Sequence, residues 1–169
     1  MLSKPTGSAR APVPARGLSA WRAFLEAHAR VSEVLARELK DTEDLPLTWY
    51  DVLVQLSEAD DHRLRMQELA EAVLLSKSGL TRLVDRMEDA GLVRRMKCPD
   101  DRRGTLAEMT EQGYQRLRQT APTHLRGVQD HFVDVLTDEE AQVLETALAR
   151  VAERARRSAG TSELPRPAP

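Results

Sequence analysis

A chain of 169 residues, 41% hydrophobic and 31% charged, is sized for one core-forming domain with frayed ends. No run approaches the roughly 18 unbroken apolar residues that a membrane-spanning helix needs, and the N-terminal stretch has no apolar core of the secretory kind. A lone cysteine, Cys98, excludes an internal disulfide and fits a reducing, cytoplasmic location, while a net charge of −2 excludes a uniformly basic surface.

The charge is unevenly placed. Between Leu74 and Arg103 eight basic residues stand against five acids, so the rest of the chain is net acidic. A mildly basic face on an acidic body suits a protein that docks on DNA and leaves it. Aromatics make up only 4%, and Ala, Leu, Arg and Glu dominate, which predicts a mainly α fold with a small β component.

Residues 1–17, rich in Pro, Ser, Ala and Arg, read as a disordered arm, and 158–169 as a similar tail. Arg10 and Arg16 then read as solvated side chains sooner than as phosphate contacts. Ser19 is placed to cap a helix whose stripe is Trp21, Phe24, Leu25, His28, Val31, Leu35 and Leu39. The break at 41–46 closes this first segment, 18–46. Thr48 and Asp51 have the spacing of a capping box, with Leu47 and Val52 as its hydrophobic staple, for a helix running to Ser57.

An acidic turn, 58–62, leads to a very short strand at Leu64–Met66 and a helix over Gln67–Val73. After a turn at Leu74-Leu75 comes a helix from Ser76 to Ala90, with Gly91 suited to the position past its end. Strands follow at Leu92–Lys97 and Thr105–Met109, joined by a charged tip over 99–104. Thr110 opens a long helix with Tyr114, Leu117, Ala121, Leu125, Val128, Phe132 and Val135 on one face, kinked at Pro122. Thr137 and Glu140 form a second capping box, opening a last helix through Leu144, Leu148 and Val151.

Two short helices with a tight turn, then a β-hairpin with a charged tip, spell a winged helix-turn-helix lobe over 47–109. Amphipathicity of its second helix turns Leu80, Leu83, Val84 and Met87 inward. It turns Lys77, Ser78, Thr81, Arg82, Asp85 and Arg86 outward. Ser76 and Ser78 are small enough to let the helix N-terminus approach phosphate. Arg82, one turn in, can reach guanine O6 and N7 with both arms of its guanidinium. Taken alone, this helix fits a solvated surface helix with capping serines as well as it fits a DNA reader.

The sequence Met66-Gln67-Glu68-Leu69-Ala70, then Leu74-Leu75-Ser76-Lys77-Ser78-Gly79-Leu80-Thr81-Arg82-Leu83-Val84-Asp85-Arg86-Met87-Glu88 and Gly91-Leu92-Val93-Arg94-Arg95, resembles the MarR family of bacterial regulators. Pro99-Asp100-Asp101-Arg102-Arg103-Gly104, Met109-Thr110 and Gly113 extend the likeness across the wing. The resemblance implies a triangular homodimer held by the first helix and by the last two, over 110–157. It implies recognition helices in successive major grooves and wings in the flanking minor grooves. By position, Arg82 is then the main base reader and Arg103 the wing arginine entering the minor groove. Arg102 lies beside Arg103 on the same DNA-facing tip, and Asp101 braces the wing. Cys98 departs from the pattern, since many relatives place Asp before the Pro. Double-stranded DNA and a second copy of the chain are thus the implied partners, at a pseudo-palindromic operator. Repression relieved by a small ligand is the expected mode of action, and an architectural DNA-binding protein without ligand response is the alternative.

Other constellations carry less. Cys98 at a strand end reads as a small semi-buried side chain sooner than as a redox switch. His28, His124 and His131 lack cysteine or carboxylate partners at zinc-ligand spacing, so neither metal nor cofactor is expected. Trp21, His28, Trp49 and Tyr50 gather the scarce aromatics on the first two helices. They read equally as an interface filling or as a pocket for a small aromatic or anionic ligand, to which Arg94 or Arg95 could lend charge. No glycine-rich phosphate loop, HExxH or serine elbow is present, so no enzymatic activity is expected.

Overall fold

The computed structural model describes residues 14–98 and 101–160, and the side chains within them apart from those of 101–103 and 159–160. In chain order the elements are α1 (Ala15–Glu43), α2 (Leu47–Glu58), a 3-10 turn (Asp60–His62), β1 (Arg63–Arg65), α3 (Met66–Ala72) and α4 (Lys77–Asp89). There follow β2 (Val93–Cys98), β3 (Asp101–Met109), α5 (Glu111–Val128), a π turn (Gln129–Val133) and α6 (Asp138–Gly160). The chain divides into two compact units, one ending at Thr123 and the other starting at His124. The mainly helical fold with a small β-wing is thus the one the sequence predicts.

The first unit is built on α2, α3, α4 and a three-stranded antiparallel sheet in the order β1-β3-β2. Val52, Leu53 and Leu56 from α2 meet Leu69 from α3, Leu80, Val84 and Met87 from α4, and Val93 and Ala107 from the sheet. Each helix is two-faced, so its apolar stripe has one place to go, and burying it fixes how the three helices lie on the sheet. The end of α1 joins this core through Leu39 and the start of α5 through Leu117. Gly113 permits that second junction, since a Cβ there would lie 2.1 Å from the Leu92 carbonyl oxygen.

Glu43, the last residue of α1, is tied to α5 as well. Its backbone carbonyl accepts a hydrogen bond from the Arg116 guanidinium, and its carboxylate accepts the Thr123 hydroxyl at 2.7 Å. In the second unit Thr137 and Glu140 form the expected capping box: each backbone N–H meets the other's side chain, at 2.9 and 3.2 Å. No helix among the described residues is long and apolar enough to cross a membrane.

Several boundaries differ from the sequence-based expectation. Helix α1 starts at Ala15, four residues before Ser19, with Pro14 at its cap. The Ser19 hydroxyl donates to the Ala15 carbonyl at 3.1 Å from inside the helix and caps nothing. Residues 15–17 and 158–160 are therefore helical, and the expectations of disorder over 1–13 and 161–169 lie outside the described residues. Pro46, not Thr48, is the cap of α2, and its carbonyl accepts the Trp49 and Tyr50 N–H groups, so no capping box forms with Asp51. β1 sits one residue earlier than expected, and α3 starts at Met66 because the Glu68 carboxylate accepts the Arg65 backbone N–H at 3.1 Å. Helix α5 continues through Pro122. The departure from α geometry comes at the π turn, where the Asp134 N–H reaches back to the Gln129 carbonyl at 2.9 Å.

Candidate nucleic-acid interface

Helix α4 is started by chemistry local to its sequence. The Ser76 hydroxyl accepts the Gly79 N–H at 3.1 Å and meets the Ser78 hydroxyl at 3.3 Å. That leaves the neighbouring backbone N–H groups and the positive end of the helix dipole facing outward, an arrangement that favours an anion. Leu80, Leu83, Val84 and Met87 are buried, while Lys77, Ser78, Thr81, Arg82, Asp85 and Arg86 are exposed. The Thr81 hydroxyl donates to the Lys77 carbonyl at 2.9 Å, so its hydrogen is directed at its own helix. Lys77, Arg82 and Arg86 form no ion pair among the described residues, so their cationic ends stand in solvent on one face. The helix ends at Gly91, whose φ of +73° suits the left-handed position past a helix C-terminus.

The two arginines of β2 are both ion-paired within the lobe. The Arg95 guanidinium meets Asp85 and Glu88 at 2.6 Å each and donates to the Thr81 carbonyl at 3.0 Å. Arg94 pairs across the strands with Glu108, and that hydrogen bond, aided by the charge, holds the Glu108 carboxyl below its ordinary range. Sequence reasoning missed Arg95 as a brace because its three contacts lie on another element. The acids at Asp85 and Glu88, one helical turn apart, were the available signal.

The wing is longer than the sequence suggests. Lys97 pairs with Thr105, and the register then steps so that Cys98 faces Asp101 across the ladder. Residues 101–104 thus belong to β3 and not to the hairpin tip. The side chains of Asp101, Arg102 and Arg103 lie outside the described residues, so their expected roles rest on the sequence. Cys98 is buried at the end of β2, a poor position for a reactive thiol. Among the described residues no cluster of three or more His, Cys, Asp and Glu side chains is placed to hold a metal ion. His124 is half-buried, and that burial pushes its pKa below the ordinary histidine value.

The four aromatic candidates for a ligand seat lie in different surroundings. Trp21 is 53% exposed and forms a row with Phe24 and His28 along α1, with ring centroids 5.9 and 6.3 Å apart. Tyr50 is 5% exposed and belongs to the core, where burial raises its hydroxyl pKa, and Trp49 packs on the edge of that core. A groove of about 540 Å³ does run between α1 and α2, but Ala29, Ser32, Ala36, Lys40, Leu47 and Thr48 are among its lining residues.

A tight turn between α3 and α4, a capped and outwardly basic second helix, and a three-stranded sheet ending in a hairpin define a winged helix-turn-helix DNA-binding protein. The comparisons agree. The MarR family profile matches residues 43–104. AbsC, a MarR family regulator from Streptomyces coelicolor, is 39% identical with a TM-score of 0.79, over 87% of this chain and 99% of that one. Sco3205, another MarR family regulator of that organism, solved in complex with DNA, is 37% identical with a TM-score of 0.79, over 87% and 92%. The transcriptional regulator MhqR of Bacillus subtilis is 34% identical over 86 residues, 51% of this chain and 59% of that protein's length. The chain belongs to the MarR family and is a DNA-binding transcription regulator, not an enzyme.

Proposed function

We propose that the chain acts as a repressor, binding a pseudo-palindromic operator as a two-fold homodimer that a small ligand releases. The observation that carries this reading is the division of α4, with its apolar side buried and its capped, basic N-terminal half free in solvent. Ser76, Lys77 and Ser78 hold phosphate and register, Thr81 turns the acceptor lone pairs and methyl of its side chain to the groove, and Arg82 and Arg86 face the base edges. Arg103, with Arg102 beside it, takes the flanking minor groove, where narrow A·T-rich stretches attract guanidinium. Asp101 braces that part of the wing.

Dimerisation is supported by apolar side chains that are exposed among the described residues. Helix α1 exposes Leu18, Trp21, Phe24 and Leu25, and the 124–160 segment exposes Leu125, Phe132, Val135, Val143 and Val151. Patches of this kind mark contact surfaces, and a second copy is the simplest cover. In this division of labour 47–109 reads DNA, while 18–46 and 110–157 pair the subunits. Repression needs no further surface, since an occupied operator overlapping a promoter excludes polymerase. The α1–α2 groove is our proposed seat for a small aromatic or anionic ligand, within the usual volume range of such sites. Trp21 and His28 then serve the dimer contact.

Selection of bound duplexes from a random pool tests the reading. It expects an inverted repeat with half-site centres about 10–10.5 bp apart or a multiple of that. Phenolic and carboxylate metabolites added to the complex should include one that displaces the DNA. Enrichment of no motif, with no displacement, would favour an architectural protein instead.

A further inference from the structure

Two helices end in the same backbone motif, and only one carries the residue that motif favours. At the end of α4 the Gly91 N–H bonds to the Glu88 carbonyl and the Leu92 N–H to the Met87 carbonyl, both at 2.9 Å. At the end of α3 the pattern repeats: Leu74 N–H to the Glu71 carbonyl at 3.3 Å, and Leu75 N–H to the Ala70 carbonyl at 2.9 Å. These paired bonds make a Schellman ending, whose central residue is left-handed and is usually glycine because a Cβ there crowds the backbone. Leu74 adopts this conformation, with φ of +55°. Unlike Asn or Asp, leucine has no polar side chain with which to steady the turn.

Packing does not offset the strain. Leu74 is 90% exposed, the most exposed of the large apolar side chains among the described residues, while its neighbours Val73 and Leu75 pack against the core. A bulky residue held in a sparsely populated conformation, without contacts of its own, is a mark of a functional position. Its place in the chain indicates what receives it. Leu74 lies two residues before the Ser76 cap, within about 7 Å of it along the chain. It therefore borders the exposed, anion-favouring start of α4. The apolar group that duplex DNA presents in the major groove is the thymine 5-methyl.

We propose that Leu74 is a specificity-determining DNA contact, its side chain packing on a thymine 5-methyl at the edge of the groove that α4 enters. The inference rests on α4 being the recognition helix. The full-length chain and a duplex it selects from a random pool provide the test. Leu74→Gly and Leu74→Asn, both compatible with the left-handed turn, should melt at or above the wild-type temperature. Both should bind that duplex about 3- to 10-fold more weakly, the worth of roughly one buried methyl contact. Replacing thymines one at a time by deoxyuridine, which lacks only the methyl, should weaken wild-type binding by a similar factor at one position per half-site. The two variants should be insensitive there.

Unchanged affinity in both variants would overturn the proposal, as would a wild-type protein indifferent to every deoxyuridine. Variants that keep full sensitivity to the methyl, or that melt well below wild type, would do the same. Arg82→Ala, run alongside, separates the two levels: if it too binds normally, the assignment of α4 has failed, and not only that of Leu74.

Discussion

Glu88 holds Arg95 at two points, one carboxylate oxygen accepting the Arg95 backbone N–H at 2.8 Å and the other meeting its guanidinium at 2.6 Å. The pair fastens the last turn of α4 to β2. With Asp85 on the same guanidinium, one positive charge offsets part of the charge of two acids on α4. One arginine thus adds a polar tie between α4 and the hairpin to the apolar packing of Leu80, Val84 and Met87 on the sheet.

Glu88→Ala is expected to lower stability by about 1–2 kcal/mol, less than a fully buried charged hydrogen bond because both side chains are partly solvated. Arg95→Ala should cost more and should weaken DNA binding further, since it leaves Asp85 and Glu88 without a counter-charge. Thermal unfolding followed by circular dichroism, with binding titrations at matched salt, measures both. Equal binding by wild type and Arg95→Ala would show that the brace has no bearing on recognition.

Removal of residues after Thr137 should yield monomers or aggregates with little affinity for DNA, because α6 and its exposed Val143 and Val151 are lost from the proposed dimer contact. Phe24→Glu tests the same contact from α1, placing a charge on an exposed apolar position without disturbing the core. Sedimentation analysis reads the oligomeric state directly. A well-folded monomer that binds the operator tightly would remove the dimer from the account.

Stability should fall on acidification through the histidine range. His124 binds a proton less readily in the folded chain than in the unfolded one, because burial penalises its charged form. Above the unfolded value of about 6.5 both states are neutral and the full stability is present; below it the unfolded state protonates first. The loss grows as pH drops toward the depressed folded pKa and then levels off. His124→Gln should flatten this part of a plot of melting temperature against pH. Persistence of the same slope in the variant would assign it to other groups.

What could be read from the sequence was whatever depends on neighbours along the chain. The Ser76 cap, the Gly91 ending and the Thr137–Glu140 box are each fixed by residues within four positions, and the structure has all three. The same local chemistry misled at Ser19 and Thr48, where Pro14 and Pro46 start the helices earlier. A proline's fixed φ suits a helix entrance, and at α2 the Pro46 carbonyl itself accepts the Trp49 and Tyr50 N–H groups. Contacts between distant elements were not legible: Arg95 on Asp85 and Glu88, Glu43 on Arg116 and Thr123, and the burial of Tyr50 in the core. Leu74 gave no periodic signal at all, because its interest lies in a backbone angle set by the end of α3.

The central claim is that α4 reads DNA through its exposed basic face, and base-resolved binding by Arg82→Ala addresses it most directly. On the selected operator at fixed salt, the variant should lose about 1–3 kcal/mol and relax its preference at one base pair per half-site. Lys77→Ala, a phosphate contact, should instead weaken all sequences alike and make the dependence on salt shallower by roughly one counterion. If Arg82→Ala kept both the affinity and the base preference of the wild type, α4 would not be the recognition helix.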